Sequence, residues 1–440
     1  MTGGPRYGKI CGYFAGWWNF FAWLVATASV LQICANILVA MYGVMHPELV
    51  QERWMVFVAY IILCWLLAAV VLFANRVTPY FEQFAAFVVI AGLIVTIVVC
   101  AVMPHVNGQP YASNAFVWSD WVNATGYLSS GFAFLLGMLN GSFAVGTPDV
   151  TSHLAEEIPR SVPLQVFARH SNADFIYRPQ INIPRAMLAQ YVIGFISGLL
   201  FLVPVLYGIN DLEAIQNSTL LFPLGDIYLQ VTGSAAGSIG LLLLVFIPVC
   251  FGSIVGCYLT VSRIFWTLAR DKATPFSRFF GTIHPRAKVP ANAIVLVAVL
   301  CTILGCIYIG NATAFSAFVS SFVVLGMASY TAAILPHLLS RRSLIQPGPF
   351  WMKGAIGFIA NTVSCIFMLV FIVVFCFPFA MPVTPVYMNY TCVLLGSFTI
   401  IAGAIYLILR KNYEGPKVIQ LEGGAPEMTV EDLRAKGAAA

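Results

Sequence analysis

Ten apolar runs, each close to or beyond the ~20 residues that a helix needs to cross a hydrocarbon core, divide this chain from end to end. They fall at about 11 to 43, 54 to 74, 84 to 104, 126 to 157, 186 to 208, 237 to 266, 290 to 309, 313 to 339, 354 to 378 and 388 to 409. A chain of 440 residues that is 60% hydrophobic and 9% charged has more apolar surface than a soluble globule can hide. Lipid is therefore its solvent, and the expected fold class is all-α integral membrane. The runs leave no stretch for a soluble catalytic domain.

Orientation follows from Lys and Arg, which cytoplasmic loops retain and translocated loops lack. With the N-terminus inside, the outer loops fall near 44 to 53, 105 to 125, 209 to 236, 310 to 312 and 379 to 387, and Arg53 is their one basic residue. Glycosylation triplets at Asn123, Asn217, Asn311 and Asn389 land on the same side. An even number of spans places both termini in the cytosol. The first ten residues lack the apolar core of a signal peptide, so the first span directs insertion. From Lys411 to Ala440 the chain is polar and mixed in charge, the composition of a disordered cytosolic tail.

Within the fourth run, "GFAFLLGMLNGSFAVGTPDVTSHLAEEIPR", the helix is interrupted where the bilayer is deepest. Pro148 has no N–H to donate, which leaves a carbonyl near Ala144 without its usual partner. In lipid such a group costs several kcal/mol, so the break belongs against protein, water or a solute. Thr147 as cap, Pro148 in the first position and Asp149 in the first turn read as a new helix start. Asp149 is the one acidic residue far from a helix end in the ten runs, and an intramembrane carboxylate is by default a functional candidate. The plainer reading is a proline kink whose Asp149 complements the helix dipole. Glu156 and Glu157, about two turns on, reach the cytosolic rim.

Other features read as structural. The 11 cysteines show no paired spacing with His, so they serve as small packing residues and no metal is expected. Gly12/Gly16, Gly137/Gly141 and Gly252/Gly256 are small-residue pairs that suit close helix approach. The basic loop from Arg263 to Lys288 is an inside anchor facing anionic lipid and needs no nucleic acid partner.

The motif "GSFAVGTPDVTSHLAEEIPR", with "INIPRAM", "RYGKICGYFAGWWNFFAWL", "FPLGDIYLQVTGS" and "SRIFWTLARDKATPFS", resembles the APC superfamily of permeases, especially the fungal amino acid/choline transporter family. The match runs in family order over almost the whole chain. The resemblance implies a LeuT-like fold of twelve helices with two inverted five-helix repeats, and a permease domain over residues 1–410. Broken first and sixth helices enclose the substrate in that fold.

Two departures stand out. The segment from Gly12 is similar to the family's third helix, so about ten of the twelve helices are present and the first two are not. The expected causes are an incomplete gene model with an internal Met1, or lost transport. Residues 161–178, "SVPLQVFARHSNADFIYR", interrupt the family pattern between "EEIPR" and "PQINIPRA", and read as a translated intron or a loop insertion.

Carried over by position, the resemblance implies that Phe143, Val145, Gly146, Thr147 and Asp149 face the substrate, and that Asp149, Glu156 and Glu157 serve coupling or gating. Among Trp17, Trp18, Phe20, Phe21 and Trp23, one ring, taken as Trp18, supplies a cation–π contact. Asp149 favours a small cationic or zwitterionic solute: choline, an amino acid or an amine such as GABA. The expected function is a secondary permease working by alternating access, with protons among its expected partners, in the plasma membrane or the vacuole. No cofactor and no enzymatic activity are expected, since Asp149 and His153 form neither a two-His metal motif nor a carboxylate dyad. The alternative from another class is a non-transporting receptor or regulator.

Overall fold

The computed structural model describes residues 4–146, 148–154, 179–310, 313–345, 347–413 and 415. Thr147, Glu156, Glu157, Asn311, the interruption at 161–178 and most of the tail lie outside them.

The described residues are helical or irregular and contain no strand. The chain opens with α1 (Gly4–Met45), α2 (Arg53–Phe73) and α3 (Thr78–Val106), followed by the short α4 (Asn114–Trp118). The interrupted span is α5 (Ser130–Val145) and α6 (Val150–Leu154), and α7 (Pro179–Tyr207) follows. Two short helices, α8 (Leu212–Gln216) and α9 (Leu224–Thr232), lead into α10 (Ala235–Pro248) and α11 (Val255–Arg270). After α12 (Ser277–Phe280) come α13 (Ala291–Gly310), α14 (Thr313–Leu339), α15 (Gly354–Val374) and α16 (Thr391–Leu409). Ten of these stretches are long and apolar enough to cross a membrane, in the order the sequence predicts.

The core gathers around α1, which packs along α14 and also touches α2, α11, α13 and α16. Its residues Trp17, Phe20, Trp23 and Leu31 are each at most 3% exposed, so this span, like α14, is clothed by protein where most of the others expose apolar side chains. On the far side α2 and α13 are pinned together. The Tyr60 hydroxyl donates to the Cys301 carbonyl at 2.8 Å, and its ring lies where a Cβ on Gly305 would stand, 2.5 Å away. Tyr258 of α11 donates its hydroxyl to the Cys64 carbonyl at 3.1 Å, closing the third side of that joint.

One expected span is not a continuous α-helix. The run read as 237 to 266 is α10 and α11 joined by a π-helical turn at Val249–Ile254, directly after Pro248. Proline removes a donor and crowds the carbonyl four residues back, and a widened turn relieves both. A Cβ on Gly252 in this turn would sit 3.1 Å from that of Ala85 on α3, so this glycine does serve close packing. Gly137 and Gly141 do not: nothing lies within 4 Å of either position.

Asn389 also departs from its sequence reading as an outward glycan acceptor. It is 1% exposed, its amide donates to the carbonyls of Phe375 and Phe377, and its carbonyl accepts from Thr391. It ties the loop after α15 to the start of α16. Asn217, the last residue capping α8, is exposed.

Candidate functional site

The interruption is built by three residue types. Helix α5 stops at Gly146, whose N–H reaches back to the Phe143 carbonyl at 3.3 Å. A Cβ there would meet the Ser142 carbonyl at 2.7 Å and the Phe322 ring of α14 at 3.1 Å, so a glycine is required by space. Pro148 and Asp149 form the turn, and α6 starts at Val150. Asp149 is thus the residue just before the helix and not within its first turn as expected, a shift of two positions. Its carbonyl takes the first bonds of α6, from the N–H groups of Ser152 at 2.9 Å and His153 at 3.1 Å.

The side chain of Asp149 does not cap its own helix. It crosses to α1, where Oδ2 accepts the Asn19 amide at 3.0 Å and the Trp23 indole N–H at 3.1 Å. His153 Nε2, one turn along α6, is 3.4 Å from the same oxygen. The carboxylate is 8% exposed, and among the described residues His153 is its ion-pair partner, with no Lys or Arg within 4 Å. Two neutral donors and an imidazole hold this negative charge inside the membrane, where charge-assisted hydrogen bonds offset part of its desolvation. Tyr330 of α14 and Tyr191 of α7 lie close enough to interact with it electrostatically.

Aromatic rings surround the break. Trp23 meets Phe322 edge to face at 5.7 Å, and Phe322 meets Phe143 in the same manner at 5.5 Å. Three rings from α1, α14 and α5 therefore adjoin one buried carboxylate, a combination suited to an organic cation. Directly beside it, a cavity of about 340 Å³ opens between α1, α6, α11 and α14. Asn19, Ser152, His153, Arg263 and Ser329 supply its polar wall.

Of the residues read from the sequence, Phe143, Gly146 and Asp149 come together here. Val145 is 44% exposed and turns outward. Trp18 donates its indole N–H to Thr399 of α16 at 2.9 Å, on another face of α1. Asn19 was missed and Trp23, one of the candidate rings, was passed over for Trp18; Phe322 and Tyr330 were missed. The first two carried a signal, an amide inside an apolar aromatic run with an indole one turn further on the same face. Phe322 and Tyr330 carried none, because nothing local in α14 tells which helix it meets.

Spans of this number, with one broken at a buried acid in a protein-lined interior, define a multi-pass membrane protein of the solute-carrying class. A family profile described as amino acid permease matches residues 5–398, and the chain belongs to that family. It is a permease rather than an enzyme. It is 28% identical to the choline transporter of Saccharomyces cerevisiae over 419 residues, covering 94% of this chain and 68% of that protein. The swainsonine transporter of Arthroderma benhamiae is 28% identical over 84% of this chain and 68% of its own length. The 7-keto 8-aminopelargonic acid transporter of Saccharomyces cerevisiae is 25% identical, over 88% of this chain and 69% of its own.

Proposed function

We propose that this permease carries a small cationic or zwitterionic organic solute, within the set of choline, amino acids and amines such as GABA, by alternating access. One observation carries the reading: Asp149, buried at the helix break, is held by Asn19 and Trp23, which are neutral donors, and by an imidazole. A negative charge so placed attracts a cation and disfavours an anion at short range. The rings of Trp23, Phe143 and Phe322 add attraction for an ammonium head. The names of the relatives agree in kind, since choline and 7-keto 8-aminopelargonic acid both carry an amino or ammonium group.

Coupling and gating belong, in this proposal, to Asp149 with Glu156 and Glu157, and protons are the driving ion. In this proposal both termini lie in the cytosol, which the Lys and Arg distribution supports, and the location is the plasma membrane.

The test is uptake of labelled choline, GABA and amino acids by transporter-deficient cells expressing the protein from its own gene. Accumulation of at least one of them, lost in Asp149→Asn at equal membrane abundance, is the expected result. Uptake that survives Asp149→Asn would remove the carboxylate from the mechanism. No uptake of any cationic or zwitterionic solute would favour a receptor or regulator.

A further inference from the structure

The hydrogen bonds at Asp149 leave two oxygens over. A carboxylate only accepts, so the Asn19 side chain must present its NH2 to Asp149 Oδ2, which turns its own carbonyl oxygen elsewhere. That oxygen, Asn19 Oδ1, and the second carboxylate oxygen, Asp149 Oδ1, are both buried and have no hydrogen-bond partner among the described residues. The Tyr330 hydroxyl of α14 interacts with the carboxylate, without a contact to Oδ1 that meets hydrogen-bond geometry. Asn19 is 91% buried, at 9% exposure, and forms part of the wall of the cavity beside Asp149. The hydroxyls of two other wall residues are already committed, Ser152 to the Asp149 carbonyl at 2.7 Å and Ser329 to the Ala15 carbonyl at 2.8 Å. Asn19 Oδ1, Asp149 Oδ1 and the two serine oxygens therefore face an incoming solute as acceptors, beside the His153 imidazole and the Arg263 guanidinium of the same wall.

We infer that Asn19 is a specificity-determining residue, and that with Asp149 it selects ammonium groups bearing N–H over quaternary ammonium. This rests on the proposal that the site binds a cationic head. A primary ammonium has three N–H groups and can donate to both open oxygens. A trimethylammonium has none. It gains attraction from the rings and the carboxylate but displaces whatever water serves those oxygens and replaces none of its hydrogen bonds. Each buried acceptor so stranded costs roughly a factor of ten, about 1.4 kcal/mol. A site built to receive hydrogen bonds from a substrate rejects the analogue that lacks them far more strongly than an apolar pocket rejects a change of size. The rings alone, which also suit choline, would have given the opposite preference.

Matched pairs test this directly: ethanolamine against choline, and GABA against its N-trimethyl derivative, in the same transporter-deficient cells, by uptake and by mutual competition. The expected result is a preference of tenfold or more for the primary amine in each pair. Asn19→Leu, close in size and without an acceptor, should cut that preference about tenfold at equal membrane abundance. It should lower primary-amine uptake more than uptake of the trimethylated partner. A preference due only to the bulk of the methyl groups would stay unchanged in Asn19→Leu, and that result overturns the inference. So does wild-type protein that takes the trimethylated member equally well or better, a comparison that stands even if the variant fails to reach the membrane. If no member of either pair is carried or competes, the cation-binding proposal itself falls.

Discussion

Trp23 and Asp149, 126 residues apart in the chain, meet at 3.1 Å, indole N–H to carboxylate oxygen. The same indole ring lies edge to face with Phe322 at 5.7 Å. One side chain thus fixes the acid and forms part of the wall around it. Trp23→Phe separates the two roles, because a phenyl ring keeps an aromatic edge and loses the donor. A hydrogen bond to a charged group is worth about 1.5–3 kcal/mol. The expected outcome is a roughly tenfold or greater fall in transport efficiency, measured from uptake kinetics on cells with matched surface abundance. Unchanged kinetics would mean that the indole N–H does not set the carboxylate.

Gly146 and Gly141 belong to one interrupted span and differ in surroundings. A Cβ at Gly146 collides with the Ser142 carbonyl and crowds Phe322, whereas one at Gly141 meets nothing within 4 Å. Gly146→Ala is expected to destabilise by about 1–3 kcal/mol, as overpacking against backbone does. Gly141→Ala is expected to be neutral or slightly stabilising, since alanine is the better helix former. Thermal denaturation of the detergent-solubilised protein, followed by fluorescence, compares the two. Equal melting temperatures would count against the tight packing described at the break.

The joint between α2 and α13 gives a stability test away from the site. Tyr60→Phe leaves the ring against Gly305 and strands the Cys301 carbonyl from its hydroxyl donor. A loss of about 1 kcal/mol is expected, with transport kinetics unaltered per molecule at the surface. Gly305→Ala should cost more, because the Tyr60 ring occupies the space and is itself only 1% exposed. The order of the two melting temperatures decides the matter.

Glycan attachment offers a fourth check. Asn389 uses both ends of its amide in buried hydrogen bonds, while Asn217 is exposed. With both triplets on the outer side, Asn217→Gln should reduce a glycosidase-sensitive mobility shift by one glycan and Asn389→Gln should leave the shift unchanged. Asn389→Gln should instead lower abundance, because the longer side chain cannot keep the bonds to Phe375 and Phe377. A glycan found on Asn389 would contradict the packing of that loop.

Much of the architecture was legible because lipid leaves few solutions: run length alone locates the spans, and Pro148 locates the break. What the sequence withheld was how faces meet. Trp18 and Trp23 are both indoles on α1, five residues apart, which puts them about 140° apart around the helix. One bonds Thr399 and the other Asp149, a difference set by which neighbours lie on each side. Asn19 is only about 40° from Trp23, so a helical-wheel reading anchored on the amide finds the right indole. Phe322 and Tyr330 reach the site through a tertiary contact that no local pattern encodes. The π turn was equally hidden, since Pro248 predicts a disturbance without saying whether the helix will kink or widen.

That widened turn bears on how such chains can vary in length. An extra residue inside an ordinary α-helix rotates everything beyond it by about 100°, which would swing Tyr258 away from the Cys64 carbonyl it bonds at 3.1 Å. At Val249–Ile254 the backbone is already widened into a π turn, the form in which a helix accommodates one surplus residue locally. Loss of a single codon is therefore expected to be tolerated better in this turn, which can tighten to an ordinary α turn, than in neighbouring stretches of the same helix.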